Sequence, residues 1–170
     1  MTRINMPNTN SPKAEELLGL VKQKLGMVPN MLKTLAQSPA ALEFYVAGSG
    51  SLGGGKLSAK EREMIALLTA NQNSCNYCSA AHSALGKLAG LSTTEIDQSR
   101  TGHGSDPRST GILAFAQAVL SKKGKVSDQD LAAARSASLS DGEIFEVVGA
   151  IALNTFTNFV NNVAEPVVDF

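Results

Sequence analysis

The chain has 170 residues, with 15 lysines and arginines against 15 aspartates and glutamates, for a formal net charge of +0. That length suits one domain with a single core. The balanced charge, without any long Lys/Arg run, argues against a nucleic-acid groove or a membrane-surface patch, since both need clustered positive charge. The 2 cysteines are too few for a disulfide scaffold of this size, so in a reducing cytosol they read as redox or metal groups.

In chain order, residues 1–10 are polar and contain Pro7. They lack the apolar segment of a signal peptide and are expected to be loose or to wrap a neighbour. Ser11 and Pro12 start a helix as cap and first residue. Leu17, Leu18, Val21 and Leu25 follow at helical spacing, and Gly26 stops it. Pro29 opens a short helix with Met31, Leu32 and Leu35. Ser38 and Pro39 open a third, with Leu42, Phe44, Tyr45 and Val46. The glycine-rich stretch from Gly48 to Gly55 is expected to break that pattern. Its Gly53-Gly-Gly55 run lacks the residues of a phosphate-binding loop.

Ser58-Ala-Lys-Glu61 is a capping box, opening a helix from Lys60 to about Asn71. Met64, Ile65, Ala66, Leu67, Leu68 and Ala70 make that helix apolar nearly all round, so it should be central and buried. Asn71-Gln-Asn-Ser74 is a polar break. Ser74 or Asn73 should cap the next helix, which carries Cys75 and Cys78 and ends near Gly90. Ser92-Thr-Thr-Glu95 is a second box, for a short polar helix. Thr101 to Ser105 is loop, with His103 in solvent.

Asp106 and Pro107 start a helix through Ile112, Leu113, Phe115, Ala116, Val119 and Leu120, and Ser127 begins a short one. Ser140-Asp-Gly-Glu143 opens a long apolar helix through Phe145, Val148, Ile151, Ala152, Phe156, Phe159 and Val160. No stretch alternates like a strand, so the fold class is all-α. No apolar run approaches about 18 residues, so a membrane-spanning helix is not expected. The location implied is cytoplasmic. The abrupt close at Glu165–Phe170 is expected to belong to a slightly longer protein.

A faint internal repeat links Leu57-Ser58-Ala-Lys-Glu61 to Leu139-Ser140-Asp-Gly-Glu143. The second copy has Thr157 and Val160 where the first has Cys75 and Cys78. Capping boxes recur by chance in helical proteins, so the match is weak.

The strongest chemical signal is Cys75-Asn-Tyr-Cys78 followed by His82. On a helix, Cys75, Cys78, His82 and Leu85 fall on one stripe. A thiolate is the reactive form of cysteine, and a helix start favours the anion through its free N–H groups and dipole. The spacing lets a disulfide close and reopen. One bland reading and one sharper rival compete. The cysteines could be small buried hydrophobes. They could instead join His82 in a zinc site, but zinc wants four ligands and only His103 or a carboxylate could complete the set. His82, one turn from Cys78, reads as a base. Glu63, near a helix start, would on its own read as structural.

Together, Glu63, Cys75-Asn-Tyr-Cys78 and His82 at these spacings resemble the signature of the AhpD-like alkylhydroperoxidases of the carboxymuconolactone decarboxylase superfamily. The motif covers about an eighth of the chain. The resemblance implies an AhpD-like all-helical single domain over residues 1–170 that assembles as trimers or hexamers. It further implies a thiol peroxidase fed by an external thiol or dithiol donor. By position, Cys78 resembles the peroxidatic cysteine, Cys75 the resolving one, and Glu63 with His82 the proton relay. Some members carry a second histidine between the cysteines, where this chain has Tyr77. The decarboxylase branch lacks the cysteine pair, which disfavours that activity here.

The expected cycle reduces a hydroperoxide at Cys78, forms a disulfide with Cys75, and is reset by a thiol attacking Cys75, taken as the more accessible sulfur. It needs no metal, haem or flavin, no nucleic acid and no membrane. A dithiol–disulfide oxidoreductase without peroxidase activity is the alternative, and a metal-binding or structural module a lesser one.

Overall fold

Side chains that accept from free backbone N–H groups set nearly every helix start in this chain. A computed structural model describes residues 2–170, and among them the helices are α1 (Pro12–Leu25), α2 (Asn30–Leu35), α3 (Pro39–Gly53), α4 (Ala59–Gln72), α5 (Asn76–Leu88), α6 (Thr93–Arg100), α7 (Pro107–Ser121), α8 (Asp128–Ser136) and α9 (Asp141–Ala164). No strand is present among the described residues. Ser11 and Ser38 each cap a helix whose first residue is proline. Ser58, Ser92, Ser127 and Ser140 exchange hydrogen bonds with Glu61, Glu95, Asp130 and Glu143 in complete capping boxes. Each such cap is worth about 1 kcal/mol. Gly26 ends α1 with φ 75°, a conformation that glycine adopts without steric cost.

The glycine-rich stretch does not break α3, contrary to the sequence expectation. The helix runs on to Gly53. A Cβ at Gly48 would sit 3.2 Å from Leu153 Cδ1, and one at Gly149 would sit 3.2 Å from Leu52 Cδ2. The missing side chains let α3 and α9 pack closely, and that packing offsets the weak helix propensity of glycine. The loop after α3 is then pinned to α9. The Glu146 carboxylate accepts from the backbone N–H groups of Lys56 and Leu57, at 2.8 and 3.0 Å.

Helix α4 is the centre of the molecule. Every residue from Met64 to Ala70 is buried. One side joins a core with Ile96, Ile112, Leu113, Phe115 and Val147. A second core gathers Ala14, Leu17, Leu32, Leu35 and Leu42 from the first three helices around Cys75, Tyr77 and Cys78. Helix α9 spans both, and by length and composition it is apolar enough to cross a membrane. The sequence reading missed that because polar residues interrupt the apolar positions. Ile144, Val147, Ala150 and Ile151 of this helix are packed into the first core.

The polar N-terminal segment turns back on its own chain. Arg3 and Ile4 donate backbone N–H bonds to the Ala164 carbonyl, at 2.9 and 3.2 Å, and Gln37 donates to the Asn5 carbonyl.

Candidate active site

The polar break after α4 is a built turn. Asn73 ends α4, Ser74 takes φ 52°, and the N–H of Cys75 donates back to the Ala70 carbonyl at 2.9 Å. Helix α9 grips this turn at two points. Asn73 Nδ2 donates to Asn158 Oδ1 at 3.0 Å, and Asn162 Nδ2 donates to the Asn73 carbonyl at 2.9 Å. The left-handed Ser74 reverses the chain, so that α5 returns along α4.

Neither Ser74 nor Asn73 caps the cysteine helix. Cys75 does so itself, its Sγ accepting from the Cys78 N–H at 3.2 Å. Cys75 therefore flanks the helix instead of lying within it. Ser74 cannot act as cap because its backbone is spent on the turn, whereas Cys75 has the extended backbone a cap needs.

Cys75 and Cys78 are joined by a disulfide, and each residue is only 2 % exposed. His82 follows one turn after Cys78. Its Nδ1 lies 2.8 Å from Glu63 Oε2. An ionised carboxylate only accepts, so Nδ1 carries the hydrogen and Nε2 is left to exchange a proton. Glu63 comes from α4, and the antiparallel return of α5 brings it to the histidine. The four residues singled out in the sequence thus lie together, in the one region where α4 and α5 face each other.

A cavity of about 370 Å³ opens beside them. Its walls are largely apolar, including Val21, Leu32, Leu52, Leu85 and Leu153, while Glu63, His82, Cys78 and Asn161 supply polar or reactive groups. Cys78 borders this cavity and Cys75 does not. The expectation that Cys75 is the more accessible sulfur is therefore incorrect. As N-cap, its sulfur is turned onto the backbone of its own helix.

Three residues at the cavity had no place in the site read from the sequence: Asn161, Tyr45 and Phe170. Asn161, 4 % exposed, donates from Nδ2 to Cys78 Sγ at 3.1 Å. Asn154, Asn158 and Asn161 are spaced four and three apart on an apolar helix, a polar stripe that could have flagged it. Tyr45 lines the cavity, and burial, reinforced by the charge of Glu63, raises its phenol above the ordinary value. It therefore stays a protonated donor at neutral pH.

Tyr77, between the cysteines, donates to Asp169 Oδ1 at 2.6 Å and accepts from the Met31 N–H at 3.2 Å. Burial, with the bond to Asp169, pushes its phenol well above the ordinary range. Asp169 also accepts from the Asn30 N–H, and the Phe170 ring stands edge-on to Tyr77 with centroids 5.8 Å apart. Phe170 thereby joins the cavity wall. Nothing in the sequence distance between Tyr77 and Asp169 signals this pairing.

His103 is exposed and shares a hydrogen bond with Thr101. It takes no part in the site. Among the described residues, no group of three or more His, Cys, Asp or Glu side chains is arranged to hold a metal ion.

Comparison with known proteins agrees with the all-helical fold. Residues 39–119 match the Carboxymuconolactone decarboxylase family. No curated protein matches the sequence. Among solved structures, an AhpD-core, peroxidase-related protein from Ralstonia eutropha is similar at 26 % identity and TM-score 0.89, covering 99 % of this chain and 92 % of that one. A peroxidase-related protein from a Silicibacter species is similar at 24 % identity and TM-score 0.84, covering 98 % and 90 %. The debrominase Bmp8, solved with 2,3,4-tribromopyrrole, shares the fold at 18 % identity and TM-score 0.82, covering 99 % and 93 %.

Proposed function

Because the chain belongs to the AhpD-like carboxymuconolactone decarboxylase superfamily, we propose that it is a thiol-dependent peroxidase reducing hydrogen peroxide or alkyl hydroperoxides. The observation that carries this reading is the Glu63–His82 pair beside the cavity that Cys78 borders, with Cys78 already joined to Cys75. A buried dithiol with no base nearby would serve a purely structural role equally well.

In the reduced protein, Glu63 orients His82, and Nε2 takes the proton of Cys78. The thiolate attacks the terminal oxygen of the hydroperoxide. The O–O bond breaks and an S–O bond forms, so sulfur is oxidised by two electrons and the peroxide reduced. The departing alkoxide takes the proton back from His82 and leaves as an alcohol, or as water from hydrogen peroxide. The Cys75 thiol then condenses with the sulfenic acid, releasing water and closing the disulfide. An external thiol entering the cavity meets Cys78, displaces Cys75 as thiolate and forms a mixed disulfide. A second thiol releases Cys78.

The test is hydroperoxide consumption by the purified protein with dithiothreitol as donor. Turnover well above the uncatalysed rate is expected with cumene hydroperoxide or hydrogen peroxide. If the protein cycles between dithiol and disulfide but consumes neither peroxide, it is a disulfide oxidoreductase and the peroxidase reading falls.

The same proposal includes assembly into a homo-oligomer, a trimer or hexamer. Phe44, Phe145, Phe159 and Val163 stand exposed at 55–75 %. Three of them lie on α9, and large apolar side chains in water mark contact surfaces. Light scattering at micromolar concentration should give a multiple of the chain mass, and a monomer would contradict it.

A further inference from the structure

Asn161 is only half satisfied beside the disulfide. Asn161 Nδ2 donates to Cys78 Sγ at 3.1 Å, yet Asn161 Oδ1 is buried and has no partner among the described residues. The orientation of this amide is dictated by sulfur, which only accepts here, so the nitrogen faces Sγ and the oxygen is left over. Buried acceptors are rarely left unpaired, and one at a reactive centre calls for an explanation. Asn161 borders the same cavity as Cys78 and His82. Its oxygen belongs to the same amide as the nitrogen that touches Sγ.

We propose that Asn161 holds the hydroperoxide during attack, its Oδ1 accepting the O–H hydrogen of the substrate while its Nδ2 supports the Cys78 thiolate. The proposal rests on the peroxidase reading and names a residue for which that reading has no role. The chemistry fits the attacked atom. In a hydroperoxide, the terminal oxygen carries the hydrogen, and it is this oxygen that sulfur takes. A single rigid amide contacting both the nucleophile and the hydrogen on the attacked oxygen fixes their approach, which is how positioning lowers a barrier. The balance of the step is unchanged. The S–O bond forms, the O–O bond breaks, and the hydrogen stays on the oxygen that becomes the sulfenic acid. The Asn161 amide neither gains nor loses a proton. His82 remains the group that returns a proton to the departing alkoxide. The apolar walls accommodate the organic part of the substrate, while the amide recognises the one feature common to all hydroperoxides.

The experiment compares two reagents on reduced protein: a hydroperoxide, whose attacked oxygen carries an O–H donor, and methyl iodide or iodoacetamide, whose attacked carbon carries no such donor. Single-turnover rates are measured for the parent, Asn161→Leu and Asn161→Asp, from neutral pH up to a pH where the thiol is fully ionised. For Asn161→Leu at full ionisation, alkylation should return to within about twofold of the parent. Reaction with hydroperoxide should stay about tenfold slower, the size of one lost hydrogen bond. Asn161→Asp keeps an acceptor and loses the donor. It should be slow with both reagents at neutral pH, where a like charge disfavours the thiolate, and should recover its preference for hydroperoxide at high pH.

Circular dichroism and the oxidised-state melting temperature establish that each variant is folded before rates are compared. If Asn161→Leu slows both reagents equally at full ionisation, the amide acts on the thiolate alone and the proposal is overturned, with the peroxidase reading intact. If the parent itself reacts with iodoacetamide but not with hydroperoxide, the peroxidase reading fails and the proposal fails with it.

Discussion

Two stretches of this molecule begin alike and end differently. Leu57-Ser58-Ala-Lys-Glu61 opens α4, and Leu139-Ser140-Asp-Gly-Glu143 opens α9. The two boxes are joined in space by one side chain. Arg108 donates from Nε to Glu61 Oε1 at 2.7 Å and from Nη2 to Glu143 Oε1 at 2.5 Å. From these matched starts the paths diverge. Helix α4 stops at Gln72, and the Asn73–Ser74 turn sends the chain back as α5. Helix α9 runs unbroken for 24 residues. With Ser58 matched to Ser140, the four-residue break Asn71–Ser74 aligns with Leu153, Asn154, Thr155 and Phe156 inside α9.

The difference teaches where the chemistry comes from. The broken copy brings Glu63 and His82 onto facing helices, and puts Cys75 at a helix start where it can meet Cys78. The unbroken copy aligns Phe145, Thr157, Val160 and Ala164 with those four residues, none of them an acid, base or thiol. It contributes a wall instead. Asn154, Thr157 and Asn161 line the cavity that the broken copy opens. One turn thus separates the hairpin that carries the disulfide from a continuous supporting strut.

The largest expected effect distinguishes the two sulfurs of the broken copy. Cys78→Ser should abolish hydroperoxide reduction, because the attacking thiolate is gone. Cys75→Ser should still form one sulfenic acid per chain and then stop, trapped by a dimedone-type probe and absent as disulfide. Equal sulfenic acid yields in the two variants would reverse the roles given to Cys75 and Cys78.

Next in size is the relay. His82→Ala should slow a single turnover at neutral pH by about a hundredfold, within the range of general acid–base catalysis, and Glu63→Gln by about tenfold. Raising the pH should partly rescue both, since hydroxide then ionises the thiol. Rate–pH profiles that overlay the parent's would make Glu63 and His82 structural.

Arg108→Leu tests what the two copies share. Arg108 is raised by its bonds to Glu143 and then Glu61. Glu143 is held down at about 2, by the Ser140 hydroxyl and backbone and then by Arg108. Burial pushes Glu61 up, but the Ser58 bonds and Arg108 together win and lower it. A depressed folded-state carboxylate stabilises above its unfolded pKa, and that stability is lost as pH falls through the folded value. Arg108→Leu should therefore cost about 2 kcal/mol at neutral pH by denaturant unfolding. The gap from the parent should begin to narrow below about pH 4, as unfolded-state carboxylates protonate, and close only towards pH 2, where folded Glu143 protonates. A gap independent of pH would mean that packing of the arginine stem, and not its charge, is what was lost.

The smallest effect lies at the turn itself. Ser74 pays for a left-handed backbone that glycine adopts freely, so Ser74→Gly should raise stability by about 0.5–1 kcal/mol. Phe156→Gly, at the matched place in the unbroken copy, should instead cost about 0.5 kcal/mol through lost helix propensity and more through the lost edge-on contact with Phe44. Thermal melts of the two variants should move in opposite directions, and a fall for both would mean that Ser74 supports the turn through its side chain.

Local chemistry in the sequence determined most of the helix starts, because a serine or aspartate satisfies N–H groups within its own first turn. It determined the all-helical class, because apolar residues recur at helical spacing with no alternating runs. Helical spacing also related Cys75, Cys78 and His82, while Glu63, which on its own reads as structural, joined them only through the resemblance to a known motif. Tertiary structure decided the rest. Gly48 stays helical because Leu153 of α9 packs against it, a contact that no window of neighbouring residues contains. Cys75 became the cap, and the less accessible sulfur, because the left-handed Ser74 and the grip of Asn158 and Asn162 fix how the chain enters α5. Asn161 meets Cys78, and Asp169 meets Tyr77, across more than 80 residues of chain. Such pairings depend on where whole helices come to rest, and that is settled by burying two shared cores, not by any preference of the residues that end up touching.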